Sequence, residues 1–314
     1  MNRKTTRKFL VTGGCGFIGS HLVDKLISQG HSVIIIDDLS TGYLTNIKPH
    51  IKKVVLYQEK VENFNFYKLE KVDCVFHLAA QASVPLSIQN FFLSSSSNML
   101  STFKVIEYCT KKTIPLVYAS SSAVYGNLSF GDETGEIQLL SPYAADKYSM
   151  EMYLAAGFEL NKLPSFGLRF FNVYGPRQDA SSPYSGVISL FISQLLHGKP
   201  IFVNGGFQTR DFIFVKDVVN CLYKAYHYLI ENIDAKVANV LTGKSISINT
   251  LYESISNLMN IKQKCIYREL PAGDPINSSG STALLESLLS IQPSTFINIE
   301  TGLLETIAFE RTKL

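Results

Sequence analysis

Tyr143-Ala144-Ala145-Asp146-Lys147 sets a phenol and an ammonium four residues apart. Ser141 and Pro142 just before them read as an N-cap and a first-turn proline, so the segment opens a helix and the two side chains share one face. A phenol with a pKa of about 10 is a poor base at neutral pH, and bringing it down by about three units takes roughly 4 kcal/mol in favour of the phenolate. A neighbouring ammonium supplies part of that. On its own the pair is also what a solvated helix face would carry by chance. Ser120-Ser121-Ser122 follow the apolar run 114–119 (IPLVYA), which reads as a strand of a parallel sheet. Ligands of such sheets sit at the carboxyl ends of the strands. There a serine hydroxyl can share a proton with a phenol, although three serines can equally satisfy the backbone at a strand end.

The second chemical feature is a glycine turn. Gly13, Gly16 and Gly19 lie between an apolar run at 9–12 (FLVT) and a helical pattern that closes at Gly30. A chain that turns tightly, approaches a pyrophosphate and packs helix on strand needs glycine at each of those steps. The N–H groups at the helix start then face the phosphates. Asp37 ends the next apolar run, SVIIID, 18 residues after Gly19. A carboxylate there accepts hydrogen bonds from an adenosine ribose and repels the extra phosphate of NADP, so NAD is the expected dinucleotide. A loop role for Asp37 and Asp38 is the alternative reading.

These features need a scaffold of alternating strands and helices. Further strands are expected near 53–57, 73–78, 114–119 and 165–169, with helices near 98–111 and 142–160, and Ser94 to Ser97 read as the capped start of the first of these helices. The pattern predicts an α/β protein, a Rossmann-type doubly wound parallel sheet with a smaller, interleaved C-terminal α/β substrate lobe. Residues 1–174 are expected to form the NAD-binding domain, with 212–245 returning to it. Residues 175–211 and 246–314 are assigned to the substrate lobe.

The segments TGGCGFIGSHL, IDDLSTG, VFHLAAQASV, YASSSAVYG, SPYAADK, LRFFNVYGPRQ and TRDFIFVKDV follow one another across most of the chain. In this order they resemble the extended short-chain dehydrogenase/reductase family, and within it the UDP-galactose and UDP-N-acetylglucosamine 4-epimerases. The resemblance implies that Ser121, Tyr143 and Lys147 are catalytic, Ser121 being the residue reached by counting back from Tyr125-Gly126. It also implies that NAD is held by Gly13, Gly16, Phe17, Ile18, Gly19, Asp37, Asp38, Thr41, Gly42, Val61, Ala79, Ala80, Gln81, Asn98 and Phe170, together with Tyr143 and Lys147. The UDP-sugar falls to Ser83, Ser121, Ser122, Asn172, Gln178, Gly186, Val187, Arg210, Arg268 and Ser278. A homodimer through the helices near 98–111 and 142–160 is implied as well.

Departures from the family pattern carry information. Lys60-Val61 stands where the family has an Asp-hydrophobic pair at the adenine. Pro271-Ala272-Gly273-Asp274 replaces an Arg-x-Gly-Asp element, with Arg268 three residues earlier as its substitute or as a plain surface arginine, and Ser281 replaces a later aspartate. Dehydratases and decarboxylases of the family carry an acid after the catalytic Ser or Thr, whereas this chain has Ser122 and Ala123. Without that acid, oxidation followed by reduction at one carbon is the expected chemistry. Ser278 stands where a bulky tyrosine would exclude an N-acetyl group. The readings left open are a reductase or reductase-epimerase consuming NAD(P)H, and a non-catalytic dinucleotide-binding regulator.

Composition bounds the rest. Of 314 residues, 46% are hydrophobic and 18% charged, the balance of a chain able to bury a sizeable core. A net charge of +3 without a basic stripe offers no footprint for a nucleic-acid backbone. The basic start, Met1 to Lys8, precedes an apolar run broken by Gly13, Gly14 and Gly16, so no stretch spans a bilayer and a cytoplasmic protein is expected. Five widely spaced cysteines, Cys15, Cys74, Cys109, Cys221 and Cys265, show no metal-binding spacing and read as reduced thiols.

Overall fold

The run KFLVT forms β1 (Lys8–Thr12), whose Phe9, Leu10 and Val11 are completely buried, and SVIII forms β2 (Ser32–Ile36) beside it. Between them lies α1 (Phe17–Ser28). Continuous apolar strands of this kind suit a sheet covered on both faces. A computed structural model describes residues 6–180, 186–270 and 274–314. The chain divides into two units, one made of 1–121, 141–169 and 219–238, the other of 122–140, 170–218 and 239–314.

The first unit continues with α2 (Leu44–Ile47), β3 (Val54–Tyr57), β4 (Cys74–His77), α3 (Val84–Gln89), α4 (Phe91–Lys112), β5 (Leu116–Ser121), α5 (Pro142–Asn161) and β6 (Ser165–Phe170). The elements β7 (Asn172–Tyr174), α6 (Val187–Leu196), β8 (Ile201–Asn204) and β9 (Thr209–Phe214) come next in the chain. After them, α7 (Val215–Glu231) and β10 (Ala235–Val240) supply the last pieces of the first unit. The sheet has seven strands in the order β10-β6-β5-β4-β1-β2-β3. The pairs β1 with β2, β1 with β4, β2 with β3 and β4 with β5 are parallel. This is the doubly wound α/β arrangement expected, and its strand order reverses between β1 and β4, where such folds bind ligands. Leu10, Ile36, Phe64, Val75, Leu116 and Leu154 form part of one buried cluster in this unit.

Two helices carry the central site of this unit. Ser141 Oγ accepts from Ala144 N at 3.1 Å at the start of α5, with Pro142 in the first turn as expected. The other helix begins earlier than the serine run suggests: Asn90 Oδ1 accepts from Leu93 N at 3.2 Å and caps α4, leaving Ser94 to Ser97 inside it. An amide oxygen meets the orphan N–H groups as well as a hydroxyl does, and the serines are tolerated mid-helix by bonding back to the preceding turn, as Ser96 Oγ does to Phe92 O at 2.6 Å.

The second unit is completed by β11 (Ser245–Ser247), α8 (Ile248–Met259), β12 (Cys265–Arg268), α9 (Ala283–Leu289) and α10 (Ile299–Arg311). A three-stranded sheet runs β11-β9-β7, and β12 pairs with β8 in parallel. Helices α6, α8 and α10 pack on one another, burying residues such as Phe191, Ile192, Leu251, Ile255, Leu303 and Ile307. Residues 122–140, read from the sequence as part of the first domain, belong to this unit. The reason is polar pairing: Tyr125 Oη donates to Asn239 Oδ1 at 2.7 Å, and Gly131 N donates to Ser279 O at 2.8 Å.

Candidate functional site

The glycine turn joins β1 to α1. Gly13 has φ of +70°, and a β-carbon there would meet the Ala79 backbone nitrogen at 2.8 Å. At Gly19 a β-carbon would lie 2.0 Å from Gly13 O, so α1 could not approach the turn. Gly16 is the N-cap of α1 and offers no side-chain cap, which leaves the first N–H groups of the helix, at Phe17 and Ile18, for an anion. Asp37, only 7% exposed, is fixed at the end of β2, its Oδ2 accepting from Cys15 N at 2.8 Å and its Oδ1 from Leu39 N at 2.9 Å. Burial raises the Asp37 pKa, against those two backbone bonds that lower it. Asp38 instead caps its own loop, accepting from Ser40 N at 3.0 Å and Ser40 Oγ at 2.7 Å. Thr41 is exposed and Gly42 is buried, where a β-carbon would meet Cys15 C at 2.9 Å. A tight cradle, a free helix start and a fixed carboxylate fit a dinucleotide. Val61 is part of the buried core, so its side chain is committed to packing.

The reactive groups stand on β5 and α5. Tyr143 is half-buried, and the Ser121 hydroxyl hydrogen-bonds it and favours the phenolate. Burial, with the Asp146 charge, outweighs this and raises the Tyr143 pKa. Lys147 is 6% exposed; its Nζ donates to Ala119 O at 2.7 Å and stands 5.7 Å from the centre of the Tyr143 ring. Burial pulls the Lys147 pKa down to about 8, opposed by the charges of Asp146 and Glu151. The Tyr143–Lys147 spacing predicts that Lys147, together with the positive nicotinamide ring, favours the phenolate. In the structure, burial of the Tyr143 side chain itself is the larger effect on its pKa.

Sequence reasoning missed the supports of this site. Ser87 of α3, completely buried, accepts from Tyr143 N at 3.2 Å and so satisfies an orphan N–H at the start of α5. A polar chain runs through the interior from Thr12 Oγ1 to His77 Nδ1 (2.8 Å) and from His77 Nε2 to Thr102 Oγ1 (3.4 Å). From there it passes from Thr102 Oγ1 to Asn98 O (2.7 Å) and from Asn98 Nδ2 to Asp146 Oδ2 (3.0 Å). Burial and the nearby Lys147 charge push the His77 pKa down to about 3, so His77 is a neutral structural imidazole. Asn98 also holds the loop after β4, accepting from Gln81 N at 2.8 Å, while Ala79 N donates to Thr12 Oγ1 at 3.2 Å. Together His77, Ala79, Ala80, Asn98, Asp146 and Lys147 line a small cavity in the first unit. None of these supports follows a local periodicity; they meet only once the sheet order is set.

Ser83 caps α3, accepting from Leu86 N at 3.1 Å, and Ser122 opens a turn of 3₁₀ helix at Ser122–Tyr125. Phe170 ends β6 and is buried. In the second unit Asn172 Nδ2 donates to Asp211 O at 3.0 Å, and Gln178 Nε2 donates to Val173 O at 3.2 Å. A β-carbon on Gly186 would come within 2.8 Å of Gln178 Nε2, and Val187 opens α6. Arg210 on β9 donates to Thr209 O at 2.8 Å and pairs with Asp274. Ser278 N donates to Thr209 O at 3.1 Å, which brings Asp274, Ser278 and Arg210 to one edge of β9. Arg268 does not join them through its side chain: it lies over the Phe202 ring, 3.8 Å from its centre, across the β8–β12 pair. Pro271, Ala272 and Gly273 fall outside the described residues. Cys15, Cys74, Cys109 and Cys221 are buried, and burial raises the pKa of Cys15 to about 12. Among the described residues no helix is long and apolar enough to cross a membrane.

Residues 9–240 match the NAD dependent epimerase/dehydratase family. The UDP-N-acetylglucosamine 4-epimerase of Methanobrevibacter ruminantium, solved in complex with UDP-N-acetylmuramic acid, is 36% identical, with a TM-score of 0.93 over 99% of this chain and 100% of that one. The UDP-glucose 4-epimerase of Mycolicibacterium smegmatis is 31% identical, covering 97% of this chain and 98% of its own. A UDP-N-acetyl-alpha-D-glucosaminuronate decarboxylase of Bacillus cytotoxicus is 30% identical over 97% of this chain and 98% of its own. On the strength of the match over residues 9–240, of these relatives and of the cradle at Gly13, Gly19 and Asp37, this chain belongs to the NAD dependent epimerase/dehydratase family and NAD is its cofactor.

Proposed function

We propose that the chain is a 4-epimerase of UDP-hexoses, acting on UDP-N-acetylglucosamine and UDP-N-acetylgalactosamine, with UDP-glucose and UDP-galactose as smaller substrates of the same pocket. The observation that carries this reading is the Ser121 hydrogen bond to Tyr143 with Lys147 one turn further along α5. Ser122 and Ala123 follow Ser121 with no acid, which disfavours elimination or decarboxylation.

In this reading Tyr143 is the base that takes the proton of the sugar 4-hydroxyl, Ser121 shares that proton, and Tyr143 returns it to the 4-keto oxygen once the sugar has turned over. The Gly13–Gly19 turn, Asp37 and Lys147 would hold NAD, which would supply the hydride chemistry at carbon 4 and a positive ring that favours the phenolate. Burial raises the Tyr143 pKa, and the cations of the assembled site would favour the phenolate against it. Arg210 is assigned the diphosphate because its fork matches phosphate oxygens, with Asn172 beside it and Asp274 as the partner that gives way. Ser278 in place of a tyrosine leaves room at carbon 2 for an acetamido group. A homodimer through α4 and α5 is part of the proposal, supported by the exposed apolar side chains on both helices, Phe92, Leu100, Phe103, Met152 and Tyr153 among them.

Purified protein incubated with each UDP-hexose and no added cofactor should bring the sugar and its carbon-4 epimer to equilibrium, read by chromatographic separation. Strict dependence on added NADPH with net cofactor consumption overturns the epimerase reading in favour of a reductase. Ser278→Tyr should abolish turnover of the N-acetylated sugars and spare UDP-glucose and UDP-galactose, since filling a shaped pocket penalises the larger ligand. Equal loss of both classes would show that Ser278 does not face carbon 2.

A further inference from the structure

Three consecutive residues of β5 are each held by one turn of α5. The Ala119 carbonyl accepts from Lys147 Nζ at 2.7 Å, the Ser120 hydroxyl donates to Glu151 Oε1 at 2.5 Å, and the Ser121 hydroxyl bonds Tyr143. Tyr143, Lys147 and Glu151 are spaced by four, so they project from one face of the helix. The middle rung has no part in the chemistry described above. It is also the most deeply anchored: Glu151 and Arg169 are 5% and 4% exposed at their side chains, and Arg169 forks onto Glu151 through Nε to Oε1 (2.9 Å) and Nη2 to Oε2 (2.7 Å). Arg169 stands on β6, the neighbour of β5 in the sheet.

We propose that Glu151 and Arg169 are positioning residues, which through Ser120 lock the end of β5 to α5 so that Ser121 stays in register with Tyr143 and Ala119 with Lys147. This rests on the assignment of Tyr143 and Ser121 to the proton transfer. A rigid bidentate pair at this place makes geometric sense. The serine it holds is covalently next to the one that must meet the phenol, and a shift of about 1 Å at a reacting group costs on the order of 10²-fold in rate. A carboxylate can take all three donors at once, whereas a neutral side chain cannot. The Glu151 charge also acts on Lys147, keeping the ammonium protonated against burial. The other groups facing that ammonium are Asp146 and Tyr143 on its own helix, neutral His77 on β4 and uncharged Asn98 and Thr102 on α4.

Ser120→Ala removes the middle rung and leaves the Glu151–Arg169 pair whole, and Glu151→Gln strips the charge from the pair. Ser120→Ala should lower kcat about 10-fold with KM changed by less than about two-fold and thermal stability close to that of the parent, because the loss falls on the transition state and not on ground-state binding. In Glu151→Gln the alkaline limb of the rate profile should also move to lower pH, since removing a negative charge lowers the pKa of the neighbouring ammonium. A stable Ser120→Ala with parental kcat overturns the proposal, and it decides the matter if Glu151→Gln does not fold. A parent that turns over no UDP-hexose is a failure of the functional reading alone. The positioning role is then read without substrate, from the Lys147 resonance in protein carrying 13C-labelled lysine, identified by its loss in Lys147→Arg. A titration midpoint displaced by about half a pH unit or more in Ser120→Ala supports the proposal, and an unmoved midpoint refutes it.

Discussion

At the scale of single residues, the site sets a half-buried phenol against a buried ammonium, and the balance between them sets the pH behaviour. Tyr143→Phe keeps the ring and removes the acid, so kcat should fall at least about 10²-fold, the scale of general acid–base catalysis, with NAD binding and melting temperature unchanged. Near-parental turnover would remove Tyr143 from the proton transfer. Lys147→Ala adds a pH signature. Desolvation already raises the Tyr143 pKa, and loss of the nearby cation raises it further, so the phenolate forms only at higher pH and the ascending limb of the rate profile should move to the alkaline side. An unshifted limb would mean that the ammonium, bound to Ala119 O, does not reach the phenol electrostatically.

At the scale of elements, the glycine turn and α1 form one unit that no side chain can enter. Gly19→Ala would place a β-carbon 2.0 Å from Gly13 O. The backbone cannot yield as a flexible side chain would, so α1 must shift off β1. Such overpacking costs about 1–3 kcal/mol and displaces the helix start that faces the phosphates. The expected result is a lower melting temperature together with a fall of about 10-fold or more in NAD affinity by calorimetry. A variant that binds NAD as the parent does would show that the turn tolerates rearrangement. The start of α5 is built differently, from Ser141 within the chain and Ser87 across it. That is why its cap was legible in the sequence and its second support was not.

For the molecule as a whole, the apolar surface is unevenly used. Phe92 is 81% exposed, and Phe91, Leu93, Leu100, Met152 and Tyr153 are also exposed, all on α4 and α5. We propose that these side chains form an interaction surface between copies of the chain. If α4 and α5 pair two copies of the chain, light scattering should give a dimer and Phe92→Asp a monomer, because a carboxylate buried in an apolar interface is left unpaired. A parent that scatters as a monomer would refute the pairing.

The glycine turn, the Asp37 position, the Tyr143–Lys147 spacing and the Ser141-Pro142 start were all legible in the sequence, because each is a local pattern in which backbone geometry dictates residue type over a few positions. The alternation of apolar strands and helices was enough to imply the doubly wound sheet for the same reason. Tertiary structure decided what depends on partners far apart in the chain. It brought Ser120, Glu151 and Arg169 into one buried cluster and committed Lys147 to a backbone carbonyl. It paired Arg210 with Asp274 and laid Arg268 on Phe202 instead of beside it. It also set burial and the Asp146 charge against the Ser121 hydrogen bond at Tyr143. Spacing along a helix fixes which side chains share a face, but burial and hydrogen-bond partners set their charge, and those exist only in the folded chain.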